Sequence, residues 1–95
     1  MLAQSETPVL VDMYAKWCGP CQLLGPVLED VKASFGEKLL VVKVDTDKYP
    51  QLASRFNVAG LPTLLLFKKG EIVDRLEGLP QKEQLLQRLS YFLSS

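Results

Sequence analysis

The sequence predicts an α/β domain in which helices flank a four-stranded mixed sheet, in the order β-α-β-α-β-β-α. Three observations lead there. Short apolar and β-branched runs alternate with stretches of helical periodicity, the pattern of strands joined by crossover helices. Two late runs are separated only by a Lys-Lys-Gly turn, which makes a hairpin and hence an antiparallel pair. The 95 residues suffice for one modest hydrophobic core, so residues 1–95 are expected to form a single domain.

The first strand is read over Pro8 to Tyr14, bounded upstream by the proline. From Pro20 the period changes: Leu23, Leu24, Val27, Leu28, Val31 and Phe35 recur at helical spacing, and Gly36 makes a stop. Pro26 lies inside that helix and is expected to kink it. Leu39 to Val44 reads as a second buried strand. Asp45 to Asp47 then offers cap oxygens to a short helix over Pro50 to Phe56. A third strand spans Leu64 to Phe67, the turn is Lys68 to Gly70, and a fourth strand runs from Glu71 to Leu76. Gly78 ends it. Leu85, Leu86, Leu89, Phe92 and Leu93 form the apolar face of a last helix.

Composition excludes several classes of function. Eleven basic and eleven acidic residues cancel without forming runs, so neither nucleic acid nor an anionic membrane surface is expected as a partner. Apolar runs such as Leu64 to Phe67 are far too short to span a bilayer. Met1 to Pro8 has no basic stretch followed by an apolar core, so no signal peptide is expected. With no histidine, there is no Ser-His-Asp triad, Cys-His dyad or imidazole metal ligand.

The chemistry concentrates in WCGPC, Trp17 to Cys21, which holds both cysteines and the single tryptophan. A zinc site needs four ligands and one chain supplies two, so no metal is expected. As a staple, a ring of roughly four residues stabilises by about 2 kcal/mol, against about 4.7 for a hundred-residue loop. A redox couple has what it needs. Residues three apart at a helix start bring their sulfurs within reach. The helix N-terminus favours a thiolate at Cys18. Cys18 can be exposed while Cys21, one turn in, is sheltered. Gly19 permits a tight approach, and Pro20 suits the first turn because its absent N–H costs nothing there. Asp12 interrupts an apolar strand. Unless it is solvated at a strand end, it is a desolvated carboxyl of raised pKa, placed to exchange a proton with Cys21 directly or through water.

The run Val11 to Cys21 (VDMYAKWCGPC) resembles the active-site segment of the thioredoxin family. Gly60 to Thr63 (GLPT) and Phe67 to Gly70 (FKKG) are similar to that family's later landmarks, and the similarity runs from about Pro8 to the C-terminus. Val41 to Pro50 (VVKVDTDKYP) most resembles plastid and cyanobacterial members, the y-type in particular.

The resemblance implies the thioredoxin fold and supports the proton role of Asp12. It implies a cis Leu61–Pro62 bond facing the cysteines, whereas the residues alone suggest an ordinary trans proline at a strand start. It places Trp17 over the active-site surface rather than in the core. Gly60, Leu61 and Gly78 complete an apolar patch for substrate around Cys18, although Gly78 reads equally as a turn glycine.

Two departures from the family follow. The lysine often found near the aspartate aligns with Val41, with Lys43 two residues on, which leaves the proton relay to Asp12 and water. Only about seven residues precede the first strand, where the family usually has another strand and helix. Its loss would expose the Leu39–Val44 edge, a route to a homodimer.

The expected activity is reduction of protein disulfides through a mixed disulfide. Disulfide-containing targets are the partners, and a separate ferredoxin- or NADPH-linked reductase restores the dithiol, since no flavin or nicotinamide motif is present. No cofactor is expected. Absence of further cysteines fits a reducing compartment, the plastid stroma or bacterial cytoplasm. Two alternatives stand beside this: a dithiol oxidase or isomerase, and a binding module in which the cysteines are dispensable.

Overall fold

The structure, a computed structural model, describes residues 7–94, so the expectation about a shortened N-terminus lies outside the described residues. The chain runs β1 (Val9–Tyr14), α1 (Gly19–Phe35), β2 (Leu40–Asp45), α2 (Pro50–Arg55), β3 (Thr63–Lys68), β4 (Glu71–Glu77) and α3 (Lys82–Leu93), with a single 3-10 turn at Gly36–Lys38. This is the predicted order, with ends moved by no more than one residue.

The strands form one sheet in the order β2-β1-β3-β4. β1 is parallel to β2 and antiparallel to β3, and β4 closes the hairpin with β3. Lys69 and Gly70 both take positive φ, 54° and 81°, as a two-residue hairpin turn whose twist matches its strands requires. β1 is therefore a central strand, and all its residues but Tyr14 are buried.

Strand alternation divides the core between the two faces of the sheet. Leu10, Leu64 and Leu66 pack against Leu24, Leu28 and Val31 of α1 and Leu85 and Leu89 of α3. On the other face, Val9, Val11, Met13, Leu65 and Phe67 meet Leu52, Ala53 and Phe56 of α2 and its end. Each fully buried aliphatic side chain contributes roughly 1.5–3 kcal/mol relative to exposure. Asp12 shares the face of Leu10 and so points towards α1 and α3.

Two expectations are corrected. β2 is not a buried strand: Leu40 and Val42 are 44% and 39% exposed, because among the described residues β2 is the sheet edge and its α2-side face is only partly covered. The acidic pair does not cap α2. Its N-cap is Tyr49, with no side-chain hydrogen bond, and the Asp45 carboxylate instead accepts the Asp47 N–H at 3.0 Å within the turn. α1 continues through Pro26 as one helix.

Candidate active site

Cys18 is the N-cap of α1. Its backbone is extended, and its Sγ accepts the Cys21 N–H at 3.2 Å, so one of the helix's unpaired donors points at sulfur. Pro20 occupies the first turn without removing a needed donor. Cys18 and Cys21 are joined in a disulfide with their Cα atoms 5.2 Å apart. Gly19 and Pro20 lie on the surface, and a Cβ built on Gly19 meets no atom within 4 Å. The close approach expected there is thus open to a partner and is not taken up by this chain.

The expected contrast in exposure between the cysteines is corrected. Cys18 is 5% exposed and Cys21 6%, since in the bonded pair each sulfur covers the other and Ala15, Tyr14 and Leu61 pack around both. What separates the two is position on the helix: Cys18 receives the N–H and Cys21 supplies it.

The Leu61–Pro62 peptide is cis, and Pro62 is buried. Leu61 packs on the cysteine pair. The loop is held from both sides. The Thr63 hydroxyl donates to the Gly60 carbonyl at 2.7 Å, and the Gly78 N–H donates to the Pro62 carbonyl at 2.9 Å. Gly78 has φ +84°, so the turn after β4 itself requires glycine, and that turn is tied to the proline loop. Gly60 is exposed beside it. Trp17 is 72% exposed, and its indole Nε1–H donates to the Asp47 carboxylate at 2.8 Å. It is a surface residue, not core.

Asp12 is 1% exposed, and among the described residues neither carboxylate oxygen has a hydrogen-bond partner. Burial penalises the charged form and pushes its pKa up to about 6, and the nearby Lys43 charge partly opposes the rise.

Lys43 corrects the sequence alignment. It is the register partner of Asp12 across β1 and β2, while Val41 pairs with Leu10. The lysine near the aspartate is present. Its ammonium lies 5.3 Å from the centre of the Tyr14 ring. With Tyr14, Ala15, Lys16, Cys21 and Gln22 it lines a cleft of about 220 Å³. A signal for it existed in the sequence: Asp12 is the single charge of β1, and Lys43 is the single basic residue of β2. No local pattern in the sequence marks Asp47 as the partner of the Trp17 indole.

The model of the thioredoxin family matches residues 1–91. The chain belongs to the thioredoxin family. It is 53% identical over 93 residues to a thioredoxin-like protein of Synechocystis sp., covering 98% of this chain and 89% of that one. It is 49% identical over 89 residues to chloroplastic thioredoxin Y1 of Arabidopsis thaliana, of which it spans only about half, 52%. Thioredoxin 1 of Nostoc sp. is 44% identical over 89 residues, 94% of this chain and 83% of that one. The four-stranded mixed sheet with its flanking helices is thus a thioredoxin fold.

With its bonded Cys-Gly-Pro-Cys pair, this thioredoxin is a dithiol–disulfide oxidoreductase of the protein-disulfide-reductase kind. The binding-module and oxidase or isomerase readings are not favoured. Disulfide-containing proteins and a reductase are the partners the family implies. Its relatives include chloroplastic and bacterial thioredoxins, and among the described residues no helix is long and apolar enough to cross a membrane.

Proposed function

We propose that Cys18 is the attacking sulfur, Cys21 the resolving one, and Asp12 the group that takes the Cys21 proton. In the reduced protein, the Cys18 thiolate attacks one sulfur of a target disulfide. A mixed disulfide forms, the target S–S bond breaks, and the displaced target thiolate takes up a proton. Cys21, deprotonated by Asp12, then attacks Cys18. The Cys18–Cys21 disulfide closes, the mixed disulfide breaks, and the second target thiol leaves. Two electrons have passed from the pair to the target; one proton comes from Cys21 by way of Asp12 and the other from solvent.

The observation that carries the assignment is the Sγ of Cys18 at the N-cap of α1, accepting the Cys21 N–H at 3.2 Å. Negative charge on sulfur is stabilised there by the backbone donor and the positive end of the helix. Asp12 supports the second step: its pKa of about 6 suits proton transfer near neutrality, and its register partner Lys43 shares a cleft with Cys21.

The seven elements act as one domain, and Trp17, Gly19, Pro20, Gly60, Leu61, Pro62 and Gly78 form the surface that receives the target. The compartment is a reducing one, plastid stroma or bacterial cytoplasm. A separate reductase, ferredoxin- or NADPH-linked, restores the dithiol. The exposed Leu40 and Val42 on the β2 edge are the place for a second copy to pair.

A mixed-disulfide trap tests the roles. Cys21→Ser incubated with a disulfide-bonded protein should accumulate a Cys18-linked adduct, and Cys18→Ser should not. Adducts on Cys18→Ser alone would reverse the assignment.

A further inference from the structure

Trp17 is the residue before the attacking sulfur, yet its ring has little packing to hold it, being 72% exposed. An indole free to turn samples about three χ1 wells and about two χ2 orientations, roughly six poses. Here a single pose is held. Its Nε1–H donates to the Asp47 carboxylate at 2.8 Å, within the range of a charge-assisted hydrogen bond.

Asp47 lies thirty residues further along the chain, in the turn after β2, and that turn is itself tied down. The Thr46 N–H and hydroxyl both donate to the Tyr14 carbonyl, at 2.8 and 3.0 Å. The Asp47 N–H donates to the Asp45 carboxylate at 3.0 Å, and the Lys48 and Tyr49 N–H groups donate to the Asp45 carbonyl at 3.1 and 2.9 Å. A closed brace therefore runs from the end of β1 through Trp17 to Asp47, and back through Thr46 to Tyr14.

We propose that Asp47 is a positioning residue for disulfide exchange: by accepting the Trp17 indole N–H, it holds the ring as a fixed wall beside Cys18 against which a protein target packs. This rests on the reading of Cys18 as the attacking sulfur. Without the bond the ring spreads over its rotamers, the competent pose falls to about one in six, and the apparent affinity for a target falls by the same factor. A disulfide too small to reach the ring does not feel the change.

The test uses the fully reduced protein in single turnover against two probes, insulin and hydroxyethyl disulfide, with thiol loss measured after alkylation. Asp47→Ala should lower the second-order rate constant with insulin by about sixfold, and that with hydroxyethyl disulfide by less than about twofold. Asp47→Asn keeps an oxygen acceptor and should recover most of the insulin rate. In a Trp17→Ala background, Asp47→Ala should cause no further loss. Because Trp17 is the single tryptophan, its fluorescence reports the pose directly, and acrylamide quenching should rise in Asp47→Ala. An unchanged insulin rate, an equal loss with both probes, or the same loss with Trp17 absent would overturn the proposal. Failure of the reductase reading looks different: the unsubstituted dithiol would react with neither probe.

Discussion

Asp12 and Lys43 are register partners across the parallel β1–β2 pair, a buried carboxyl beside an exposed ammonium. The pairing sets two opposed effects on one group. Burial raises the Asp12 pKa and the lysine charge lowers it, with burial winning to give about 6. A carboxyl so tuned changes charge within the range where thiol exchange operates.

Burial of Asp12 makes folding stability depend on pH. Its folded pKa of about 6 stands above the ordinary 3.8, so the stability involved is complete below about 3.8 and is lost as pH rises through about 6. Asp12→Asn mimics the protonated form. At low pH it should match the unsubstituted protein, and at pH about 8 it should be more stable by about 2–3 kcal/mol. Urea unfolding of the oxidised proteins across pH checks this, and parallel curves for the two would remove the buried carboxyl as the cause.

The same variant should slow turnover. Losing a positioned proton acceptor lowers general base catalysis by a factor on the order of a hundred. The loss is expected in release of the mixed disulfide, not in its formation, which is visible when the two phases are followed by quenched flow.

Lys43→Met removes the charge that opposes the rise. The Asp12 pKa should move above about 6, and the acid limb of the rate profile should move to higher pH with it. Carboxyl titration by NMR reads the first shift and kcat/KM against pH the second. A profile that stays in place would separate Lys43 from the proton step.

Gly78→Ala isolates backbone strain, because a Cβ there meets no atom within 4 Å while φ is +84°. The substitution should lower stability by about 1–2 kcal/mol and Tm by roughly 5–10 °C. Reduction of insulin should weaken as well: alanine keeps the N–H that anchors the Pro62 carbonyl, but strains the turn that aims it. Calorimetry and insulin turnover measure the two effects.

Val42→Lys puts a charge on the exposed β2 edge. If two copies pair there, the variant should sediment as a monomer at concentrations where the unsubstituted protein does not.

Most of the site was readable because it is local. WCGPC at a strand-to-helix junction specifies a capped sulfur and its neighbour one turn on, and Asp12 stands out as a charge within an apolar strand. The errors came where distant segments meet. Alignment by motif puts Val41 opposite Asp12 where Lys43 stands, because motifs do not supply register and a two-residue slip keeps the side chain on the same sheet face, so alternation does not expose it. The expected contrast in cysteine exposure failed because the bonded sulfurs and Leu61, forty residues on, cover each other. The acidic turn has the composition of a helix cap, yet Asp45 closes its own turn and Asp47 reaches back to Trp17.

The sequence by itself determined the order of elements, the redox pair and its helix-start position, because periodicity, turn chemistry and capping act over a few residues. Only the tertiary structure decided that Lys43 faces Asp12, that the Gly78 turn anchors Pro62, and that Asp47 holds Trp17. Those contacts follow from strand order and register, which are set by how the two sheet faces pack on their helices and which no short stretch of the chain contains.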